Sequence, residues 1–453
     1  IASGDFNNDG WQDIVLATNK GILLYKNTGS KFVLEEIDVK EINDLGMHLV
    51  AFVDIDNDGW QDIYATSFGG KNYFLLNDKK EFENPKLLEV PNTRAVLTEA
   101  ASFADIDKDK DLDFVSGNWF SELPNLVPAK RGIEANKLII NEKLQFQEEN
   151  LEGVNGQTLV ALFSDFNNDN NADLIIGNDF EEPDIFYAGD GKGGLREILK
   201  DYGIIPVSTH DTMSIDVADF NNDLYMDIYM AAISPDEMNF IESIKKGRGR
   251  KAGYKSLCFE IKNEEEKQKC KKFVKIKRII KKKDIEKCAE LQDGQDKYDC
   301  MVMVMVFLNE DGSNEGLCEK IPETYPKQRF VCHNYFIPHT GRMDKDARSA
   351  YKEAIGQKRD TNILLQGSEE GVFEDVTPDN GVGDGLWSWN AKFADLDNDE
   401  WQDIYIANGR VGSTGSYQIY GDESLIQTNV FFHNIQGQHF NAEQEEFGLE
   451  GYS

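Results

Sequence analysis

Short runs of β-branched and aromatic residues recur along the chain, separated by turns rich in Asp, Asn and Gly. Runs such as DIVLAT, DIYATS and DLIIG have the composition of buried strands. A second apolar run and a turn follow, as in GILLYKNTGSKF at 21–32. The units lack the 3.6-residue apolar period of helices, which argues against a helical solenoid. The pattern therefore predicts four short strands in each unit.

An acidic stretch of nine residues precedes the first apolar run of each unit. Its pattern is Asp-apolar-Asp/Asn-x-Asp-x-x-x-Asp, and we number its copies loops 1 to 6. The six loops span 5–13, 54–62, 105–113, 165–173, 219–227 and 395–403. Four similar intervals and one long one indicate a repeat array with a large insertion. We therefore predict an all-β fold, a β-propeller of six to seven four-stranded blades, with a helical, disulfide-rich insertion in one blade. Closing strands or a seventh blade would then lie outside this sequence.

The composition narrows the class of partner. The chain has 48 basic and 82 acidic residues, a net charge of −34, and 40% of its residues are hydrophobic. Such a negative surface disfavours nucleic acids and anionic membranes, which bind through cationic groups. The longest apolar run, 301–308, is far shorter than the roughly 20 residues of a membrane-spanning helix. Because the chain starts at Ile1 without a signal peptide, we expect a processed or trimmed product.

The loops have the chemistry of a cation site. Carboxylates at positions one, three and five of a tight loop direct their oxygens toward one centre, and the ninth-position Asp closes the set. Ca²⁺, which takes six to eight oxygen ligands, suits this set better than Mg²⁺, and Zn²⁺ is disfavoured because no loop contains Cys or His. The alternative is a set of Asx-rich turns without metal, but six matched copies weigh against it. Position six favours Gly, so we expect loops 1 and 2, with Gly10 and Gly59, to bind best, and loop 5, with Leu224, least well.

These motifs resemble the FG-GAP (VCBS) repeats of integrin-α-type propellers, over about 330 of the 453 residues. The stretch 373–409 resembles, more closely, the cartilage-acidic-protein and UnbV branch. The resemblance implies up to six Ca²⁺ ions, each bound by the side chains at positions one, three, five and nine and by the carbonyl at position seven. The implied ligands are Asp5, Asn7, Asp9, Trp11 and Asp13; Asp54, Asp56, Asp58, Trp60 and Asp62; Asp105, Asp107, Asp109, Asp111 and Asp113; Asp165, Asn167, Asp169, Asn171 and Asp173; Asp219, Asn221, Asp223, Tyr225 and Asp227; and Asp395, Asp397, Asp399, Trp401 and Asp403.

The long interval interrupts the fifth unit. We predict propeller blades over 1–234 and 361–453, with a Cys-rich, basic and mainly helical insertion over 235–360. All six cysteines fall in this insertion, in three pairs 12–14 residues apart. The spacing favours local bridges, whereas a Cys-rich metal site and reduced cysteines are the alternatives. The predicted bridges are Cys258–Cys270, Cys288–Cys300 and Cys318–Cys332. The basic run 271–283 could bind an anionic partner, or form a solvated helix face.

No sequence motif indicates a catalytic residue. The chain has no HExxH, GxSxG or P-loop pattern. His48, Glu99, Asp211 and Trp389 precede their loops and would line a central channel or its rim, whereas Trp11, Trp60 and Trp401 would pack between blades. We predict an extracellular, cell-surface or periplasmic module that binds protein or glycan, because disulfides and calcium loops favour an oxidising compartment. The alternatives are a secreted enzyme with an active site at the rim, for example on polysaccharide, and a structural subunit of a larger surface assembly.

Overall fold

A computed structural model describes most of the repeat units and scattered parts of the insertion. The described residues are 1–35, 37, 39, 41–42, 46–67, 71–79, 82, 85–90, 98–118, 136–151, 153, 156–179, 183–198, 203–233, 275–276, 279, 282, 284–291, 294, 297–298, 300–301, 304, 320–322, 324, 357–359, 361–383, 385, 388–408 and 429–443.

The repeat units form six four-stranded antiparallel sheets. In every sheet the strands adjoin in chain order, so each unit is an up-and-down meander. The first three sheets contain β1 (Ala2–Gly4), β2 (Asp13–Thr18), β3 (Gly21–Asn27) and β4 (Phe32–Glu35); β5 (Met47–Val53), β6 (Asp62–Ser67), β7 (Tyr73–Leu76) and β8 (Lys86–Glu89); and β9 (Thr98–Ala104), β10 (Asp113–Asn118), β11 (Lys137–Glu142) and β12 (Gln145–Asn150).

The other three sheets have the same arrangement, and the chain also forms a small parallel pair of strands. They contain β13 (Gln157–Ser164), β14 (Asp173–Asp179), β15 (Ile185–Gly189) and β16 (Leu195–Glu197); β18 (Thr212–Ala218), β19 (Asp227–Ala232), β21 (Ile363–Gln366) and β22 (Glu374–Asp375); and β23 (Ser388–Ala394), β24 (Asp403–Asn408), β25 (Val430–Asn434) and β26 (Phe440–Ala442). The parallel pair consists of β17 (Val207–Thr209) and β20 (Gln357–Arg359).

In four of the six sheets the second strand is the most deeply buried. Every residue of β6, β10, β14 and β19 is buried, because a neighbouring layer covers each face. This explains why runs such as DIYATS are apolar almost throughout and do not alternate with polar residues. Five clusters of buried side chains lie between consecutive sheets. In the first of them, Leu24 of the first sheet packs with Ile63 and Leu75 of the second.

The sheets are stacked in the order of the chain. The first strand of each sheet contacts the first strand of the next, from β1 against β5 to β18 against β23. Among the described strands, each extensive contact between four-stranded sheets joins two that are consecutive, and none joins the sixth to the first. The prediction of an all-β fold with four-stranded units is therefore confirmed, whereas closure of the units into a propeller is not.

The insertion separates two neighbouring strands of the fifth sheet. β19 ends at Ala232 and its partner β21 begins at Ile363. Within the insertion the structure has a short helix, α1 (Ile285–Ala289), and the predicted Cys288–Cys300 disulfide. The other four cysteines and most of the basic run lie outside the described residues. A second short helix, α2 (Thr377–Asn380), follows β22. Within the described part of the chain, no helix is long and apolar enough to cross a membrane.

Candidate metal loops

Each acidic loop connects the first strand of a sheet to the second, so all six occupy the same end of their sheets. The ninth residue of every loop is the first residue of the second strand. These six aspartates are fully buried, and they are Asp13, Asp62, Asp113, Asp173, Asp227 and Asp403. A buried carboxylate needs hydrogen-bond donors or a cation to offset its lost hydration.

Both oxygens of the ninth-position Asp accept backbone hydrogen bonds. In loop 2 the Ile55 amide donates to Asp62 Oδ2 at 3.1 Å, and the Asn77 amide at the end of the third strand donates to Oδ1 at 2.7 Å. The same pair of bonds recurs in the other five loops. The carboxylate therefore connects the loop to the third strand, and this constraint fixes where each loop begins and ends.

The remaining acidic residues form Asx turns inside the loop. In loop 1 the amides of Asp9 and Gly10 donate to the two oxygens of Asp5 at 3.0 and 2.8 Å. The Asp9 amide also lies 3.0 Å from Asn7 Oδ1, and Asp9 Oδ1 accepts from the Trp11 amide at 3.0 Å. The Asx-turn interpretation is thus correct at the level of the backbone. It does not compete with cation binding, because a carboxylate oxygen has a second lone pair.

Loop 3 departs from this pattern at its first residue. The Asp105 Oδ1 atom is buried and has no hydrogen-bond partner among the described residues, whereas Oδ2 accepts from the Lys110 amide at 3.1 Å. An unpaired buried carboxylate oxygen is costly, and a bound cation would satisfy it. Loop 3 could therefore bind a cation at this oxygen.

The backbone is left-handed at two positions of every loop. Position six has a positive φ from 65° to 90°, at Gly10, Gly59, Lys110, Asn170, Leu224 and Glu400. The expected ranking of the loops by this residue is therefore not visible in their backbone, since Lys, Leu and Glu adopt the conformation that Gly prefers. Position four is also left-handed, at Asn8, Asn57, Lys108, Asn168, Asn222 and Asn398. The recurring Asn was the signal for this second position, because Asn tolerates that region best after Gly.

Three of the loops bring three carboxylates together. In each set the ligand atoms lie within 4.8 Å of one another. The sets are Asp54, Asp56 and Asp58; Asp105, Asp107 and Asp113; and Asp395, Asp397 and Asp403. Loops 1, 4 and 5 have Asn at position three, where an amide oxygen would stand in for a carboxylate. The all-oxygen donor set fits Ca²⁺, which the side chains at positions one, three, five and nine would hold.

Burial and mutual repulsion raise the pKa of the ninth-position Asp. The pKa of Asp62, Asp173 and Asp227 is raised to about 7, mainly by burial and further by the neighbouring loop carboxylates. The backbone amides that donate to these carboxylates lower the pKa, but by less than burial raises it. The pKa of Asp113 is raised to about 6 for the same reasons. A nearby cation would lower these pKa values, because it favours the ionised form. A cation inside a loop would therefore stabilise the ionised form of its ninth-position Asp.

A second set of residues, which the sequence interpretation did not identify, joins each loop to the next sheet. Asn77, Asn141 and Asn434 follow the apolar run of their third strand. Each donates its side-chain amide to the position-eight carbonyl of its own loop and to a position-two carbonyl in the neighbouring sheet. The distance from Asn141 Nδ2 to the carbonyl oxygen of Ile55 is 3.1 Å. The Asn that recurs at the end of these apolar runs was the available signal.

Consecutive loops are also hydrogen-bonded directly. The position-four side chain of one loop donates to the position-six carbonyl of the next in three of the junctions. The distances are 2.9 Å from Asn8 to Gly59, 2.5 Å from Asn57 to Lys110 and 3.3 Å from Asn222 to Glu400. Loops 1, 2 and 3 are therefore linked to one another, and loop 5 is linked to loop 6.

The structure also places four of the other residues that the sequence singled out, a His, a Glu and two Trp. His48 of β5 contacts Glu99 of β9, across the junction between two first strands. Trp11 is 51% exposed and lies against Gly29, in the hairpin of its own sheet. Trp401 likewise lies against Gly437 of its own sheet. The hairpin at Gly437 also lies close to Asn221 of loop 5, so packing of these tryptophans between blades stays a prediction.

Comparison with known proteins identifies the repeat. The chain matches the FG-GAP-like repeat over residues 5–65, 54–116 and 165–230, which include loops 1 to 5. No curated protein matches the chain. Among solved structures, an Agrocybe aegerita lectin with specificity for non-reducing terminal N-acetylglucosamine is 16% identical, with 51% of this chain and 61% of that chain covered and a TM-score of 0.33. The V. cholerae biofilm matrix protein Bap1 is 13% identical, with 51% of this chain and 34% of that chain covered and a TM-score of 0.28.

The two likenesses to solved structures are too weak to bear on fold or function. The chain spans less than two thirds of the length of either structure. The finer resemblance to the UnbV branch stays a prediction. The repeat itself rests on two independent observations, the matched ranges and the identical hydrogen bonds of the ninth-position Asp. The chain therefore contains three FG-GAP-like repeats, whose acidic loops all lie at the same end of the sheets.

Proposed function

We propose that the chain is a calcium-stabilised β-propeller that acts outside the cytoplasm as a binding module for protein or glycan ligands. The six sheets would be its blades, and the loops would hold up to six Ca²⁺ ions through the ligands named above. The observation that carries the proposal is the buried ninth-position Asp, found in the same hydrogen-bonded setting in six loops that concentrate negative charge. Such a set of loops gains stability when divalent cations neutralise it.

The face that carries the loops has the features of a binding surface. Among the described residues, eight large hydrophobic side chains are exposed, and four of them belong to the loops. These four are Trp11, Leu224, Met226 and Leu396. Contiguous exposed apolar patches mark interaction sites, and these four side chains are the candidates for such a patch. We infer that a partner binds at this face, through apolar contacts beside the calcium loops.

The proposed location follows from the chemistry of the chain. The Cys288–Cys300 disulfide is compatible with an oxidising compartment, and Ca²⁺ loops suit the high Ca²⁺ concentration found outside cells. We propose that the insertion over 235–360 is a separate unit mounted on the fifth blade. Its basic run 271–283 would be a second site for an anionic partner.

The calcium part of the proposal is tested by thermal unfolding of the full chain. We expect EDTA to lower the Tm, Ca²⁺ to restore it, and Mg²⁺ to restore it only in part, with several Ca²⁺ ions counted by native mass spectrometry. The double substitution Asp54→Asn and Asp58→Asn should remove one ion. A Tm that is indifferent to EDTA, together with no bound ion, would refute the calcium assignment.

The binding part is tested separately, on arrays of glycans and of purified extracellular proteins probed with Ca²⁺ or with EDTA. The variant Leu224→Ser should bind the recovered ligand more weakly at an unchanged Tm, because Leu224 is 85% exposed. The control is Leu34→Ser, which changes an exposed side chain on the outer strand of the first sheet, outside the nine-residue loops. Equal binding by both variants would place the partner elsewhere.

A further inference from the structure

One imidazole lies against the sixth loop. His433 of β25 precedes Asn434, the residue whose backbone amide holds the ninth-position Asp403 at 2.8 Å. The strand registers place different residues at the equivalent position of the other sheets. These residues are Lys26, Leu76, Ile140, Ala188 and Gln366. The sixth unit therefore differs from the other five in its chemistry at the point where the third strand meets the loop.

Three contacts of the ring fix the orientation of this imidazole, and a fourth contact holds one of its partners. Its Nε2 lies 3.1 Å from Asp397 Oδ2, and its Nδ1 lies 2.7 Å from Glu443 Oε2. The ring stacks on Phe431 with a centroid distance of 6.1 Å and an interplanar angle of 14°. Asn441 donates to the second oxygen of Glu443 at 3.0 Å, which holds that carboxylate in place. Because the side chain of His433 is only 16% exposed, the arrangement is set by the fold and not by the solvent.

The same arrangement orients metal-binding histidines in proteins. A carboxylate on one ring nitrogen fixes the tautomer, raises the basicity of the other nitrogen and points it at the ion. Here Glu443 is in the position of that carboxylate, and Nε2 points toward the loop. Ligand atoms of Asp397, Asp399 and His433 lie within 4.8 Å of one another. Neighbouring ligands of a tetrahedral ion with bonds of 2.0–2.1 Å are roughly 3.3 Å apart, close to the 3.1 Å between His433 and Asp397.

We propose that Asp397, Asp399 and His433 form a site for Zn²⁺ or a similar transition-metal ion, with Glu443 as the residue that positions the imidazole. The donor set separates this site from the calcium loops, because imidazole nitrogen suits Zn²⁺, Cu²⁺ and Ni²⁺, whereas Ca²⁺ takes oxygen. The inference goes beyond the proposed function, although two of its carboxylates belong to loop 6. It assigns this loop an ion that the other five loops do not select.

The alternative is an ion pair in which a protonated imidazole bridges Asp397 and Glu443. A proton would then occupy the space that the metal would take. In the metal-bound state the imidazole nitrogen coordinates the ion, whereas in the ion pair it does not, and X-ray absorption spectroscopy at the zinc edge detects this difference directly. The two states also differ in whether substitution of His433 changes the affinity for zinc.

The experiment uses the full chain, freed of metal with EDTA, returned to excess Ca²⁺ and titrated with Zn²⁺ by calorimetry. We expect one Zn²⁺ to bind, with imidazole scattering in the zinc X-ray absorption spectrum. His433→Gln should weaken zinc binding by about tenfold or more and abolish the imidazole scattering, and Glu443→Gln should weaken binding about tenfold. Lys26→Gln, at the matched position of the first sheet, should bind zinc like the wild type.

Three results would overturn the site. They are zinc affinity unchanged by His433→Gln, a bound zinc without imidazole scattering, and no zinc binding in excess Ca²⁺. Near-ultraviolet circular dichroism of each variant checks that the sheets remain folded. The calcium count is measured on the same samples, so loss of the zinc site with calcium retained refutes only this inference. Zinc bound by a chain that takes no Ca²⁺ would refute only the proposed calcium function.

Discussion

The asparagine at the end of the third strand provides a quantitative test of how the sheets are joined. Asn434 is fully buried, and its side chain makes three hydrogen bonds to backbone groups. Its Nδ2 donates to the carbonyls of Phe220 at 2.8 Å and Gln402 at 2.9 Å, and its Oδ1 accepts from the Gly437 amide at 2.8 Å. Asn434→Ala removes all three and leaves buried backbone groups unpaired.

The expected loss follows from these contacts. A buried hydrogen bond contributes about 1 kcal/mol, so three should contribute about 3 kcal/mol to the free energy of unfolding. The matched control is Asn27→Ala in the first sheet. Asn27 is less buried and makes two of the same bonds, to the Gln12 carbonyl at 3.1 Å and from the Gly29 amide at 2.9 Å. We expect this control to lose about 1–2 kcal/mol.

Urea unfolding in excess Ca²⁺, followed by tryptophan fluorescence, measures both losses. The bond from Asn434 to Phe220 joins the sixth sheet to the fifth, so its loss should destabilise the fold without reducing the number of Ca²⁺ ions bound. Equal losses for the two variants, or a loss below about 1 kcal/mol for Asn434→Ala, would refute the idea that these asparagines hold the sheets together.

Three further predictions concern the loops and the insertion. Leu224→Gly should stabilise the protein by about 1 kcal/mol, because Leu224 has a φ of 75°, in the left-handed region that Gly adopts without strain. Gly59→Ala, at a φ of 90°, should destabilise it for the same reason, and thermal melts that rank the two variants in the opposite order would contradict the assigned loop backbone. In the metal-free protein the folded pKa of Asp62, Asp173 and Asp227 is about 7, against an ordinary 3.8, so their protonated forms stabilise the fold below about pH 4 and this contribution is lost as the pH rises to about 7. The gain in Tm from Ca²⁺ should therefore grow from about pH 5 to pH 8, and a gain that stays constant would contradict this prediction. Cys288→Ala with Cys300→Ala should make the insertion more sensitive to limited proteolysis and leave the calcium count unchanged, since both residues lie far from the loops along the chain. Loss of bound calcium would show that the insertion supports the calcium loops.

The repeat could be predicted from the sequence because each unit contains the same two local signals. Nine residues with Asp at positions one, five and nine fix a loop, and an apolar run fixes the buried strand that follows it. Both signals act over short distances, so they predicted the strand count of each sheet and the position of every loop. Closure of the units into a ring would depend on contacts between distant units, which no local pattern specifies.

The parts that the sequence interpretation missed depend on pairs of residues far apart in the chain. Asn434 reaches the carbonyl of Phe220, and Asn57 reaches that of Lys110, so neither bond can be seen in a single nine-residue motif. The repeated Asn at both positions was visible, but its role required the packing of one sheet on another. The ranking of the loops by Gly at position six stays a prediction about ion binding, because all six loops share the same left-handed backbone there. There, bonds from the position-five and position-six amides to the first Asp impose the left-handed turn on Lys, Leu or Glu.

His433 shows how one substitution within a repeat can change the chemistry of a site. The loop alone predicted oxygen ligands, because no His or Cys lies within its nine residues. The third strand brings an imidazole to Asp397 from 36 positions along the chain, and Glu443 in turn comes from beyond the fourth strand. The loops at this end of the sheets therefore share a backbone and differ in their third-strand neighbour. Ion selectivity in such an array can change one unit at a time, while the buried ninth-position Asp keeps the loop itself unchanged.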